Sequence, residues 1–204
     1  MATLEFFFDC SSPWTYLAYD RVEPLAAETG ASLVWRPFLV GGVFNAVNPS
    51  VYEQRAHPVL PKARYYAKDL RDWARHQRLA IGQPSVFPVN SVRAMRGALV
   101  ALDAGCVSPY ARAVFEAYWG DGRDISQDDV LADVAARVGL ERAAFFAAIA
   151  SPEVKQRLRI NTDELIARGG FGSPTLFVDG DDMYFGNDRI PLVREACLRV
   201  AGRR

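Results

Sequence analysis

Leu4, Phe6 and Phe8 alternate with Glu5 and Phe7, so the chain opens on a short, strongly apolar strand over about Thr3 to Asp9. Pro13 suits the first turn of a helix, because its missing N–H would be unpaired there anyway. That helix is predicted to run from Pro13 towards Gly30, with Pro24 kinking or splitting it. A second strand follows over Ser32 to Phe38, where Leu33, Trp35 and Pro37 alternate with Val34 and Arg36. Two parallel strands need such a helical crossover. The pattern then turns almost wholly helical. Lys62 to Gln77 places Tyr66, Leu70 and Trp73 on one face, and Ser91 to Ala104 does the same with Val92, Met95, Leu99 and Leu102. Pro109 to Trp119 carries Tyr110, Val114, Phe115 and Tyr118, and Ser126-x-x-Asp129 resembles a capping arrangement ahead of Val130, Val134 and Val138. Ser151-Pro152-Glu153 starts a further helix that stops at Gly169-Gly170. Short strands near Thr175–Val178 and Met183–Phe185 precede a last helix from about Asn187 to Ala201. The aromatics of the helical stretch (Tyr66, Trp73, Phe115, Trp119, Phe145, Phe146) read as core, with a few free to wall an apolar pocket.

Composition narrows the picture. Of 204 residues, 50% are hydrophobic, enough for a sizeable core. Basic and acidic residues number 24 each, so the formal net charge is zero and there is no basic footprint for nucleic acid. No apolar run approaches the roughly 20 residues of a membrane span. Met1-Ala2-Thr3-Leu4-Glu5 has no basic stretch and enters a strand at once, so no signal peptide is expected. Three cysteines (Cys10, Cys106, Cys197) without a CxxC fit a reducing cytoplasm. Cys106 and Cys197 read as small core fillers. His57 and His76 are not spaced as metal ligands with any cysteine, so no metal site is expected.

Candidate chemistry gathers at two stretches. In Asp9-Cys10-Ser11-Ser12-Pro13-Trp14-Thr15-Tyr16 the hydroxyl of Ser12 falls at a strand-to-helix junction. Unpaired N–H groups and the positive end of the helix dipole favour an anion there, a thiolate included. Read by itself, Ser12 is a helix cap. The second stretch is Gly169-Gly170-Phe171-Gly172-Ser173-Pro174-Thr175, ahead of the late strand Leu176-Phe177-Val178. A first strand running into a Ser–Pro helix, with a distant Gly-x-Pro-Thr before a late strand, is the thioredoxin pattern. In it Pro174 is cis and lies beside the start of the first helix.

Over nearly the whole chain the sequence resembles a DsbA-like group. Where disulfide oxidoreductases of the DsbA type carry Cys-Pro-x-Cys, this chain reads Ser12-Pro13-Trp14-Thr15. With both thiols replaced by hydroxyls, it is similar to the 2-hydroxychromene-2-carboxylate isomerases and the kappa-class glutathione transferases. The resemblance rests on Asp9-x-x-Ser12-Pro13-x-x-Tyr16-Leu17, Gly170-Phe171-Gly172-Ser173-Pro174-Thr175 and Phe185-Gly186-Asn187-Asp188-Arg189. Gly41-Gly42-Val43-Phe44, Asn48-Pro49, Lys62-Ala63-x-Tyr65-Tyr66-x-x-Asp69-Leu70-x-x-Trp73 and Phe87-Pro88-x-Asn90 also follow it. Cys10 is a departure, and so is Ser173, where relatives often carry an apolar residue.

The resemblance implies an α/β, thioredoxin-like fold with a large helical insertion. Residues 1–44 and 166–204 would form the thioredoxin-like part and 45–165 the insertion. It implies glutathione as cofactor, a small aromatic carboxylate as substrate, and a cytoplasmic homodimer. Ser12 would hold the glutathione thiolate, and the Ser173 backbone before Pro174 would pair with its cysteinyl unit. Asn187 and Asp188, opening the last helix, would hold the γ-glutamyl end, and Asn48 would approach the thiol or substrate. Lys62 and Arg64 read as a solvated face that could also meet a carboxylate. In an isomerase, reversible thiolate addition makes a double bond rotatable, so glutathione is regenerated; in a kappa-type transferase or peroxidase it is consumed. A redox-inactive thioredoxin-like peptide binder is the alternative from another class.

Overall fold

The computed structural model describes residues 1–202. Strand β1 (Thr3–Phe8) lies inside a four-stranded sheet with β2 (Ser32–Pro37), β3 (Thr175–Val178) and β4 (Asp182–Phe185), in the order β2-β1-β3-β4. β1 runs parallel to β2, with Leu4 opposite Leu33 and Phe6 opposite Trp35. It runs antiparallel to β3, with Phe6 opposite Leu176. Because strand side chains alternate, β1 feeds two different cores. Leu4, Phe6 and Phe8 join the main one. Phe7 packs with Phe38, Val43, Leu165 and Phe177 on the opposite face. Glu5 shares that second face and is neutralised there by Arg168 at 2.7 Å and Arg36 at 3.5 Å.

Helix α1 (Pro13–Thr29) covers the main core with Tyr16, Tyr19, Val22 and Leu25. Pro24 does not split it. That residue is exposed, so the carbonyl it frees can reach water. The helix ends at Gly30 with φ 65°, a left-handed stop whose N–H returns to the Ala26 carbonyl.

Between β2 and β3 the chain is helical: α2 (Val40–Val47), α3 (Ser50–Ala56), α4 (Leu60–Gln77), α5 (Val92–Asp103), α6 (Val107–Phe115), α7 (Asp128–Arg137), α8 (Arg142–Ala150) and α9 (Pro152–Ala167). This is a DsbA-like thioredoxin fold with its helical insertion. α5, α6 and α7 share one buried core with β1 and α1.

Several local expectations need correction. α2 and α3 had no clear sequence signal, being short and broken at Asn48-Pro49 and His57-Pro58. α8 was also unforeseen; the Glu141 carboxylate caps it by accepting from the Ala143 and Ala144 N–H groups. Ser126 does not cap α7: its Oγ accepts the Gln127 side-chain amide at 3.1 Å, and Gln127 precedes the helix without a side-chain cap. α6 passes into a π-helical turn over Glu116–Gly120. Tyr66 is no core residue: it is 60% exposed, and Ala74 is the one fully buried residue of α4. Ser151 starts α9 as expected, accepting from the Val154 N–H at 3.2 Å.

The end of the chain also differs. Asn187–Arg189 is a single 3-10 turn, and the last helix, α10, spans Ile190–Gly202. Pro191 explains the shift, since proline favours the first turn of an α-helix.

Candidate active site

β1 ends at Phe8, and the next four residues build the strand-to-helix junction. Asp9 is completely buried and forms no ion pair among the described residues. One carboxylate oxygen accepts the Ser11 N–H at 2.9 Å, and the other accepts the Val40 N–H at 2.9 Å and the Ser91 hydroxyl at 3.0 Å. Those three donors come from the junction, the start of α2 and the start of α5, so one side chain pins three segments together. Burial raises the Asp9 carboxyl above its ordinary value, although the hydrogen bonds pull the other way.

Ser12 does two things at once. Its Oγ accepts the Thr15 N–H at 3.3 Å, the helix cap expected from sequence. The same hydroxyl donates to the Ser173 carbonyl at 3.2 Å. The Ser173–Pro174 bond is cis, as the thioredoxin pattern implies, and a second cis bond joins Phe87 to Pro88. The side chain of Ser173 accepts the Asp9 N–H at 3.1 Å and shares a 2.7 Å hydrogen bond with the Thr15 hydroxyl. A polar side chain suits this place, because the buried Thr15 hydroxyl faces it.

Cys10 points away from this chemistry. It is fully buried, its N–H donates to the Met95 sulfur at 3.3 Å, and its carbonyl accepts the Trp119 indole N–H at 3.0 Å. Burial, then the neighbouring Asp9, pushes its thiol well above the ordinary value. The π-helical turn thus has a local role, since Trp119 also accepts the Gly82 N–H at 2.7 Å through its carbonyl. Tyr16 is likewise core: its ring stacks on Phe115 at 4.8 Å, and burial pushes its hydroxyl up to about 12.

Ser12 opens onto a cavity of about 720 Å³. Ser12, Asn48 and Ser173 line it, whereas Pro174, Asn187 and Asp188 do not. Asn48 bridges across it, donating to the Phe171 carbonyl at 3.1 Å and accepting the Ser50 hydroxyl at 2.9 Å. Asn187 is buried, and its amide nitrogen has no acceptor among the described residues. Asp188 is half-exposed and ion-paired to Arg189. Gly186, with φ 106°, lets it fold back: a Cβ there would meet the Asp188 carboxylate at 2.7 Å.

The apolar wall is made by Trp14, Phe44, Tyr52, Phe87, Phe171 and Phe185. None of these belongs to the long helices whose aromatics were candidates for it. Trp14, Phe44, Phe87, Phe171 and Phe185 do fall in motifs quoted above, and Tyr52 does not, but nothing in sequence gave any of them this role. Arg55 was missed altogether, because α3 carried no periodic signal. Lys62 and Arg64 are not on the cavity; Lys62 borders a separate shallow hollow with Pro61, Tyr65 and Tyr66.

A DSBA-like thioredoxin domain matches residues 3–197. The chain belongs to this DsbA-like thioredoxin family and, within it, to the group of 2-hydroxychromene-2-carboxylate isomerases. It is 32% identical to the 2-hydroxychromene-2-carboxylate isomerase of Pseudomonas sp. (strain C18), covering 95% of this chain and 89% of that one. A solved structure of a 2-hydroxychromene-2-carboxylate isomerase superposes with a TM-score of 0.83 at 29% identity, covering 98% of this chain and 97% of that one. Human glutathione S-transferase kappa 1 is 26% identical, over 94% of this chain and 88% of its own length. The chain is therefore an enzyme of a family in which isomerases and kappa transferases meet.

Proposed function

We propose that the protein is a glutathione-dependent isomerase of 2-hydroxychromene-2-carboxylate or a similar aromatic carboxylate. The observation that carries this reading is the Ser12 hydroxyl, held between the first turn of α1 and the carbonyl before cis-Pro174 and facing an aromatic-lined cavity. Bound glutathione would supply a nucleophilic thiol that adds reversibly to the substrate. Ser12 holds that sulfur as an anion by turning its O–H from the Ser173 carbonyl to the thiolate. The exchange is favourable, because a neutral hydrogen bond is worth about 1 kcal/mol and one to a charged group about 1.5–3 kcal/mol.

Ser173 suits the cysteinyl unit. Its carbonyl has a second lone pair, and its N–H has no acceptor among the described residues. In the same reading the Asp188 carboxylate meets the γ-glutamyl ammonium, exchanging Arg189 for it. The unpaired Asn187 amide lies in the same turn, a donor suited to the γ-glutamyl carboxylate. Asn48 holds the Phe171 loop in place and so shapes the wall near the thiol. The absence of a thiol at either Ser12 or Thr15 speaks against disulfide exchange, and the cavity beside the cis-proline speaks against a plain peptide binder. A homodimer belongs to the reading and is checked by light scattering.

The kappa-transferase reading differs in whether glutathione is consumed. Calorimetry with glutathione, followed by a product assay on the chromene carboxylate at catalytic glutathione, tests the proposal. Isomerisation with glutathione recovered supports it; conjugation that consumes glutathione supports the transferase; no glutathione binding rejects both.

A further inference from the structure

We infer that Arg55 is the residue by which the cavity recognises a carboxylate on an aromatic substrate. The inference rests on the isomerase reading above and adds the group that selects the substrate's charge.

Among the described residues lining the cavity, Arg55 alone carries a formal charge; no Asp or Glu lines it. Many arginines elsewhere are paired with carboxylates, as Arg157 is with Asp103, Arg112 with Asp20 and Arg168 with Glu5, and those that are not, such as Arg21 and Arg96, lie off the cavity. Arg55 has no carboxylate partner among the described residues. Two aromatic rings hold it instead: its guanidinium sits 5.6 Å from the Phe44 ring centre and 5.4 Å from that of Phe87. Phe44 comes from α2 and Phe87 from the loop before α5, so the cation bridges two sides of the cavity. Cation–π contact uses the faces of the guanidinium, leaving its N–H edge free for a planar, two-toothed acceptor. A carboxylate has that shape, and the rings beside Arg55 offer stacking to the aromatic body that bears it. Glutathione also carries carboxylates, but the backbone of Ser173 offers its peptide a place on the α1 side. The aromatic carboxylate is therefore the occupant assigned to Arg55.

The test uses 1-hydroxy-2-naphthoate, an unreactive aromatic carboxylate, and 1-naphthol, its uncharged counterpart. Both are titrated into wild type, Arg55→Gln and Arg55→Lys in saturating glutathione, and glutathione is titrated separately. Arg55→Gln is expected to weaken the naphthoate at least tenfold while 1-naphthol and glutathione stay within twofold. Arg55→Lys should recover part of the loss, because an ammonium supplies charge without the fork. For the chromene carboxylate, KM should rise at least tenfold with kcat within threefold. Unchanged naphthoate affinity, an equal loss for 1-naphthol, or a loss confined to glutathione would each overturn the assignment. The last of these would move Arg55 to the glycyl carboxylate of glutathione. A wild type that binds the naphthoate through Arg55 yet does not isomerise the chromene upholds the assignment and overturns the isomerase reading.

Discussion

The two walls of the cavity are built on opposite principles. On the sheet side, Asp9, Thr15 and Ser173 are buried and joined by hydrogen bonds of 2.7 to 3.1 Å, and Ser12 is tied into the same network. On the other side, Tyr52, Arg55 and Phe87 are exposed, the Phe44 and Tyr52 rings meet edge to face, and one cation lies over the rings of Phe44 and Phe87. The first wall is rigid because every polar group in it would cost energy if its partner moved. The second has no such penalty and can adjust. A rigid wall suits a hydroxyl that must meet a developing anion at one place. An adjustable wall suits selection among similar aromatic bodies.

The largest effect is expected from removing the pin of the rigid wall. Asp9→Ala leaves the Ser11 and Val40 N–H groups and the Ser91 hydroxyl without their acceptor. At about 1–3 kcal/mol for each buried donor, stability should fall by about 3 kcal/mol or more. That corresponds to roughly 6–12 °C in melting temperature for a chain of this size. Asp9 also has a pH signature. Burial raises its folded pKa above the ordinary 3.8. Between that value and the raised one the folded protein holds a proton the unfolded chain has lost, so this residue's contribution to stability falls as pH rises and stays lost above. Asp9→Asn has no such titration. The unfolding free energy of wild type relative to Asp9→Asn should therefore decline from about pH 4 upward in parallel denaturant series. A difference that grows with pH would mean the carboxylate is held below its usual range.

Ser12→Ala should come next, and it reads the chemical role of the same wall. Loss of one hydrogen bond to a charged group, about 1.5–3 kcal/mol, lowers the rate roughly ten- to a hundred-fold. The thiol of bound glutathione should titrate at higher pH, followed by thiolate absorbance. The lost cap should cost only about 1 kcal/mol in stability. If absorbance and rate are both unchanged, Ser12 is a cap and no more.

Asp188→Asn tests whether the fixed region reaches beyond the cavity. Affinity for glutathione should drop by about 1.5–3 kcal/mol, with melting temperature nearly constant. The Arg189 pair it breaks is half-exposed, and such pairs contribute about 0–1 kcal/mol. A variant that melts lower while binding glutathione normally would make Asp188 a turn residue. Smallest of all should be Cys10→Ala, which ought to keep glutathione-dependent turnover within about twofold. Loss of activity with glutathione still bound would point to a protein thiol as nucleophile.

The rigid wall is also the one that could be read from sequence. Strand alternation located β1, Ser12-Pro13 located the start of α1, and Ser173-Pro174 located the partner loop. These signals are local: each depends on residues next to one another. Most residues of the aromatic wall lie in the quoted motifs as well, but no local pattern marks them as one wall. α2 and α3 have 8 and 7 residues, too few for a hydrophobic period to repeat. The contact of Arg55 with Phe87 joins segments far apart in sequence. Tyr66 failed for the opposite reason: a helical period exists in α4, but of the face it marks Leu70 and Trp73 are only half-buried and Tyr66 is exposed. The start of α10 is marked by Pro191, and the polar pair Asn187-Asp188 marks only the 3-10 turn before it.

The placement of Cys10 has a consequence for how long such a catalyst survives. A cavity that gathers electrophilic aromatic compounds next to a sulfur nucleophile invites alkylation of any other thiolate within reach. In this chain burial raises the pKa of all three thiols, Cys10 and Cys197 in the core and Cys106 at its margin. At neutral pH each stays protonated and poorly reactive. In the proposed reaction, with Ser12 where a cysteine could have stood, the cavity would offer its reactants no protein thiolate to attack, and self-inactivation would be closed off at its source.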